Sequence, residues 1–149
     1  MKIFHYIVAT GLGVGFFPFA PGTAGSIFSL LLIYVFTPVS PYIMLLLILL
    51  SFFVGVYSST RVEKERGHDP SIVVIDEILG MGIGLLFLPR NLLLFIIAFI
   101  LFRIFDIFKP PPINASQKFR AGWGIMMDDV VAGLYTLIIM QLLRLPLGI

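Results

Sequence analysis

Five carboxylates interrupt the apolar stretches of this chain, and their chemistry stands out before any other feature. They form two adjacent pairs and one single aspartate. An ionised side chain within a membrane segment is costly unless it is paired, hydrated or bound to a cation, so such residues mark a functional site by default. The five residues are Asp76, Glu77, Asp106, Asp128 and Asp129.

Carboxylates that converge in a low-dielectric site repel one another unless something neutralises them, and a divalent cation does this best. The chain has no cysteine and only two histidines, His5 and His68. The available ligands are therefore mainly oxygen atoms, which favour Mg²⁺ over zinc or copper. We predict a Mg²⁺ site and treat all five acids as candidate ligands.

A purely structural role for the acids is the alternative. Both acidic pairs are expected near helix N-termini, where a carboxylate complements the helix dipole and caps free N–H groups. This explanation fails for Asp106, which is expected near a helix C-terminus and so needs a cation. Arg103, three residues before it, or Lys109, three residues after it, could pair with it.

The composition indicates an integral membrane protein. Of the 149 residues, 59% are hydrophobic and 12% are charged, whereas a soluble domain carries roughly 25% charged residues. The mean hydropathy is +1.07, and residues 6–60 contain no Asp, Glu, Lys or Arg. We predict an all-α, polytopic membrane helix bundle that forms a single domain over residues 1–149. The net charge of +2 is too small to imply nucleic-acid binding.

The apolar segments predict helices over residues 24–36, 42–60, 75–88, 92–108 and 125–143. The first would reach only ~20 Å, so it is short or re-entrant and the bundle has four to five membrane helices. Pro38 and Pro41 predict a tight turn after it. The third and fourth helices should form an antiparallel hairpin, and Gly80 and Gly84 predict close packing of the third against other helices.

Basic residues predict the orientation, because Lys and Arg are retained on the cytoplasmic side. On this topology all five acids lie at the cytoplasmic face of the membrane. One side carries Arg61, Lys64, Arg66, Lys109, Lys118 and Arg120, whereas the other carries only Arg90 and Arg144.

Two segments could bind phosphate. In the glycine-rich segment before the first predicted helix, Thr23 or Ser26 can cap the helix, whose free N–H groups suit an anion; a rigid entry turn explains the spacing equally well. After the fourth helix, three prolines predict a stiff extended segment that fixes where Lys109 points. Lys109, Lys118 and Arg120 could hold a phosphate or anionic headgroups, although retention of basic residues at the cytoplasmic side also accounts for them.

Four ordered motifs give the chain a resemblance to the phosphatidylglycerophosphatase A family, which extends from about residue 11 to residue 133. This resemblance implies a bacterial inner-membrane, Mg²⁺-dependent lipid phosphatase that converts phosphatidylglycerophosphate to phosphatidylglycerol and inorganic phosphate. No protein partner is predicted. The motifs are Ala20-Pro21-Gly22-Thr23-Ala24-Gly25-Ser26, Ile75-Asp76-Glu77-Ile78-Leu79-Gly80, Phe102-Arg103-Ile104-Phe105-Asp106-Ile107-Phe108-Lys109-Pro110 and Gly124-Ile125-Met126-Met127-Asp128-Asp129-Val130-Val131-Ala132-Gly133.

On this resemblance we assign hypothetical roles to the candidate residues. Mg²⁺ would clamp the phosphate and activate water, with Glu77 as a ligand or general base. A carboxylate nucleophile is the less favoured alternative. The predicted metal ligands are Asp76, Glu77, Asp106, Asp128 and Asp129; the predicted catalytic residues are Glu77, Asp106, Lys109 and Asp129; and the predicted substrate-binding residues are Thr23, Ser26, Arg103 and Lys109.

A small cation transporter or transport subunit is the competing hypothesis, because intramembrane acids can also bind a transported ion. Such a protein would need acids near the middle of the bilayer and a path through both faces. The predicted position of the acids at one interface favours hydrolysis.

Overall fold

The fold is all-helical, as predicted. The computed structural model describes residues 2–36 and 40–145, and in these ranges it contains seven α-helices, one short 3-10 helix and no strand. The turn predicted at Pro38 lies outside the described residues. The elements are α1 (Lys2–Ala9), the 3-10 helix (Val14–Phe16), α2 (Pro21–Phe36), α3 (Pro41–Arg66), α4 (Ile75–Leu85), α5 (Leu92–Phe108), α6 (Ile113–Ser116) and α7 (Gly122–Arg144).

All five predicted helices are present, but their ends differ from the prediction. Helix α2 begins three residues early, at Pro21, because proline is well suited to the first turn of a helix. Helix α4 ends at Leu85 rather than at residue 88, and Phe87 follows in the left-handed region with a φ of 64°. Helices α1 and α6 are not among the predicted ones.

Two helices in the described part of the chain, α3 and α7, are long and apolar enough to cross a membrane. They have 26 and 23 residues, which corresponds to about 39 and 35 Å, more than the ~30 Å hydrocarbon core. Helix α2 is apolar but shorter, with 16 residues. Length and composition therefore support two of the predicted four to five membrane spans.

Helix α4 packs against α7 through glycines that leave no room for a side chain. A Cβ atom on Gly80 would lie 2.6 Å from the carbonyl oxygen of Asp129, and one on Gly84 would lie 2.9 Å from Thr136. Residue numbers increase along both helices from the first contact to the second, so the two helices run parallel. The predicted close packing at Gly80 and Gly84 is confirmed, and it brings the first turn of α4 beside Asp129.

Replacing Gly80 with alanine is expected to destabilise the protein by about 1–3 kcal/mol, because the new methyl group would press against the α7 backbone and the ring of Phe102. The matched control is Gly82→Ala, whose Cβ would meet its nearest neighbour at an ordinary 3.7 Å. Thermal unfolding in detergent should show a lower midpoint for the first variant only. Equal midpoints for both would contradict the proposed tight contact.

The far end of α4 is held by side chains of α7. Gln141 Nε2 donates a hydrogen bond of 3.2 Å to the carbonyl of Leu86, and Arg144 Nη1 donates one to the carbonyl of Phe87. These carbonyls lie just beyond the end of α4, where the chain leaves the helix and carbonyl groups have no partner within it. Helix α7 thus contacts both ends of α4.

The prediction of a stiff extended segment after α5 is wrong. Lys109 ends α5 in the left-handed region, with a φ of 45°, and the Ile113 N–H donates to the carbonyl of Pro110 at 2.8 Å. The chain therefore turns back instead of extending. Ile113 is fully buried, and this burial favours the turn over an exposed extended segment. The turn directs Lys109 toward α7.

Candidate active site

A cavity of about 350 Å³ lies at the ends of four helices and gathers the residues singled out in the sequence. Its walls come from the start of α2, the loop before α4, the first turn of α4, the last turns of α5 and the second turn of α7. Because the start of α4 and the end of α5 meet here, these two helices are antiparallel, as predicted. The lining includes Thr23, Asp76, Glu77, Arg103, Asp106, Lys109, Asp128 and Asp129.

Three of the acids form a group suited to a cation. One carboxylate oxygen from each of Asp76, Glu77 and Asp129 lies within 4.8 Å of the others. Asp76 Oδ1 and Glu77 Oε2 are buried and have no hydrogen-bond partner among the described residues. Buried carboxylates without partners carry a large desolvation cost, which a bound cation would offset. The arrangement and the all-oxygen chemistry fit a hard divalent ion such as Mg²⁺.

The other two acids are paired with basic side chains. Asp106 accepts a hydrogen bond from Arg103 Nη1, and its Oδ1 lies 3.9 Å from Lys109 Nζ. Asp128 Oδ2 accepts hydrogen bonds from Lys109 Nζ and, at 3.0 Å, from Gln117 Nε2. In the described part of the chain, the five predicted ligands therefore divide into a group of three without an ion pair and a group of two that holds the cations Arg103 and Lys109.

Lys109 remains cationic in this environment. Burial by itself lowers the pKa of Lys109, but the hydrogen bond and the charge of Asp128 raise it more strongly. The charges of Asp129 and Asp106 act in the same direction, so the net pKa lies above its usual value. A positive charge is thus maintained at the cavity wall at neutral pH, where a phosphate can be neutralised.

The two hydroxyl residues predicted to bind substrate occupy different places. Thr23 lines the cavity, whereas Ser26 is fully buried, donates to the carbonyl of Gly22 at 3.0 Å and accepts a contact from Arg103 Nη1 at 3.5 Å. Because α2 begins at Pro21, both lie inside the helix, and the prediction that one of them caps it is wrong. Ser26 contacts the guanidinium of Arg103.

Gly22 lies directly beside the acids. A Cβ atom at this position would collide with the Glu77 carboxylate. The start of α2 can therefore approach α4 closely only because residue 22 has no side chain. This approach closes one wall of the cavity and brings Thr23 to the same space as Glu77.

Sequence reasoning missed the contribution of the loop before α4. Asp69, Pro70 and Ser71 all line the cavity, although none of them is among the predicted site residues. His68 itself pairs with Glu63 at 2.7 Å. The available signal was an acidic residue next to proline on the predicted cytoplasmic side. Lys118 and Arg120, the other two candidate phosphate ligands, are not among the lining residues in the described part of the chain.

Comparison with known proteins supplies the family. The model of the family described as phosphatidylglycerophosphatase A matches residues 7–144. The chain belongs to the phosphatidylglycerophosphatase A family. The predicted family and the predicted class of enzyme, a lipid phosphatase, are both confirmed. The match includes every residue of the four motifs and every helix that lines the cavity.

Curated relatives of this family cover nearly the whole chain. The Escherichia coli and Haemophilus influenzae proteins named "Phosphatidylglycerophosphatase A" are each 37% identical to it, over 97% and 90% of the chain and 87% and 85% of their own lengths. A Bacteroides thetaiotaomicron protein named "Putative phosphatidylinositol-3-phosphatase" is 41% identical over 95% of the chain and 94% of its own length. No solved structure matches the chain. These findings do not support the transport hypothesis.

Proposed function

We propose that the protein is a Mg²⁺-dependent phosphomonoesterase that hydrolyses phosphatidylglycerophosphate to phosphatidylglycerol and inorganic phosphate at the cytoplasmic face of the membrane. The observation that carries this proposal is the composition of the cavity. Three clustered carboxylates, two of which have a buried oxygen without a partner among the described residues, line the same space as two basic side chains. Hydrolysis of a phosphate monoester needs positive charges that neutralise the phosphate oxygens. When the monoester is a lipid, these charges must lie in a polar site at the membrane surface.

The group of Asp76, Glu77 and Asp129 would hold the Mg²⁺ ion. Their oxygens are close together and two of them lack protein partners in the described ranges. When bound, Mg²⁺ neutralises charge on the phosphate oxygens and lowers the pKa of water. Asp106 and Asp128 remain candidate ligands from the sequence, but their ion pairs favour another role, which is to hold Arg103 and Lys109 in place.

Arg103 and Lys109 would bind the non-bridging oxygens of the phosphate. Arg103 is fixed by Asp106 and Ser26, and Lys109 by Asp128, so both cations are oriented before substrate arrives. Preorganised charges of this kind stabilise a transition state without reorganisation at the moment of reaction. Thr23, on the α2 wall, can donate its hydroxyl hydrogen to the same phosphate.

Glu77 is the candidate general base. In the hydrolysis, the oxygen of an attacking water bonds to phosphorus, the bond from phosphorus to the glycerol oxygen breaks, and the proton of the water passes to Glu77. The leaving glycerol oxygen takes a proton from Lys109 or from solvent. Glu77 would take this role instead of ligating the ion, through its unpartnered Oε2, and Asp129, close beside it, would help orient the water.

We further propose that the protein is a multi-pass protein of the bacterial inner membrane. Helices α2 and α5, with 16 and 17 residues, would reach about 24–26 Å and cross a locally thinned bilayer. Arg61, Lys64 and Arg66 cluster at the last turns of α3. Together with Lys109 they would hold the cavity on the cytoplasmic side.

Phosphatidylinositol 3-phosphate is the second candidate substrate. The relative from Bacteroides thetaiotaomicron that carries this activity in its name is 41% identical to the chain. Both lipids present a phosphate monoester on a polyol headgroup, so the same cations could serve either. Parallel measurements of phosphate release from the two lipids would decide between them, since the preferred one should give the higher kcat/KM.

Removing the metal is expected to abolish the activity. Protein purified in detergent should release phosphate from phosphatidylglycerophosphate when Mg²⁺ is present, lose this activity in EDTA and regain it on addition of excess Mg²⁺, because the carboxylate cluster alone would repel the substrate. Full activity in EDTA would refute only the metal requirement and not the proposed reaction. A lack of phosphate release with Mg²⁺ from either lipid would refute the proposed function.

A further inference from the structure

One face of α2 leads from the cavity into the apolar surface of the protein. Thr23 lines the cavity, and Ile27, Leu31 and Val35 follow it at intervals of four residues with exposed fractions of 43%, 54% and 63%. Each such interval rotates the side chain by about 40°, so the four residues lie within about a third of the helix circumference. We call Ile27, Leu31 and Val35 the α2 stripe.

The length of the α2 stripe matches one leaflet of a bilayer. From Thr23 to Val35 the helix rises about 18 Å, and half of the ~30 Å hydrocarbon core is about 15 Å. No charged residue occurs between residues 6 and 60, so the surface stays apolar along its entire length. One end of the stripe is the polar cavity, and the other is Val35, one residue before the end of α2.

We propose that the α2 stripe binds one acyl chain of the lipid whose phosphate occupies the cavity. This inference rests on the proposed function, because it requires a membrane lipid as substrate. A phosphate held by Arg103 and Lys109 would fix one end of the lipid beside Thr23, and the continuous apolar surface below Thr23 leads from there along α2. The stripe would thereby orient the lipid and select substrates that remain in the bilayer.

The absence of cysteine permits a direct test with single labels. Leu31→Cys carries a fluorophore on the α2 stripe, and Leu47→Cys carries it at an equally exposed position, 54% in both cases, on α3 outside the stripe. The probe is a phosphonate analogue of phosphatidylglycerophosphate that resists hydrolysis and has brominated acyl chains. It is added at a small mole fraction to vesicles of unbrominated phosphatidylcholine that contain the labelled protein and Mg²⁺.

We expect the analogue to quench the label at position 31 several-fold more strongly than the label at position 47. Excess unbrominated analogue should reverse this difference, and brominated phosphatidylcholine, which lacks the phosphomonoester, should quench both labels equally. Ile27→Cys provides a second position on the stripe and should behave like position 31. This pattern would establish that the chain of the bound substrate lies on α2.

Equal quenching of positions 31 and 47 by the analogue would show that only bulk lipid covers the stripe and would overturn the inference. A label at position 31 that no brominated lipid quenches would also overturn it, since another protein surface would then cover the stripe. Phosphate release by unlabelled wild-type protein is measured separately. Absence of phosphate release by the wild-type protein would refute the proposed function, whereas activity without selective quenching would refute only the acyl-chain site.

Discussion

The Asp76→Asn variant is expected to lose about 10³-fold in kcat on phosphatidylglycerophosphate, because one ligand of the proposed metal cluster loses its charge while its shape is kept. In EDTA the same variant is expected to unfold at a higher temperature than wild type. Asp76 Oδ1 is buried without a partner in the described part of the chain, and removing its charge relieves repulsion with Glu77 and Asp129. Phosphate-release kinetics and thermal unfolding in detergent measure the two effects.

A lower kcat together with a higher unfolding temperature distinguishes a functional role of Asp76 from a structural one. Glu65→Gln is a suitable control for activity, since Glu65 is an acid at the exposed end of α3 outside the cavity, and the amide keeps an oxygen that can accept the hydrogen bond from Tyr6; kcat should not change appreciably. If Asp76 were a cap that stabilises α4, the asparagine variant would lower the unfolding midpoint and retain its activity. That result would remove Asp76 from the proposed site.

The Lys109→Met variant is expected to reduce kcat/KM by about 10²–10³-fold, because a preorganised cation that neutralises the transferring phosphate is lost. Methionine has a similar length and preserves most of the packing. Lys109→Arg should recover part of the loss, since it restores a charge near Asp128 but not the same geometry. Steady-state kinetics on all three proteins give the comparison.

The matched control for this prediction is Lys118→Met. Lys118 is exposed and lies nine residues further along the same loop region, outside the described cavity lining. Its replacement should leave kcat unchanged and alter only weak attraction to anionic lipid. Comparable losses for Lys109→Met and Lys118→Met would indicate a diffuse electrostatic effect of the loop and would argue against a specific contact between Lys109 and the phosphate.

The helices that carry the site could be predicted because their signals are local. Uninterrupted apolar runs identify α3, α5 and α7, and Gly80 with Gly84 indicates where α4 meets α7. The sequence does not reveal where α4 stops, since residues 86–88 are as apolar as the helix itself. That end depends on hydrogen bonds from α7, a contact between residues more than 50 positions apart.

Most of the site could be predicted from residue types, and the pairing of Asp106 with Arg103 from their spacing of three residues. The five acids, Arg103 and Lys109 are visible in the sequence and line the cavity, whereas Lys118 and Arg120 do not. The pairing of Asp128 could not be predicted, because it depends on the turn after Lys109, and this turn depends on the burial of Ile113. The same turn places Gln117 against Asp128. The contribution of Asp69 likewise depends on how the loop folds over the helix ends.

The contacts of α7 with both ends of α4 limit how this enzyme can adapt to membranes of different thickness. Asp129 lies at the cavity, and Gln141 and Arg144 hold the opposite end of α4. One residue inserted into α7 between Asp129 and Gln141 would rotate the following side chains about the helix axis by about 100°. The hydrogen bonds from Gln141 and Arg144 to the end of α4 would then be lost. Relatives that inhabit thicker bilayers should therefore lengthen their spans in α3 or beyond residue 144, while the spacing from residue 129 to residue 144 stays constant.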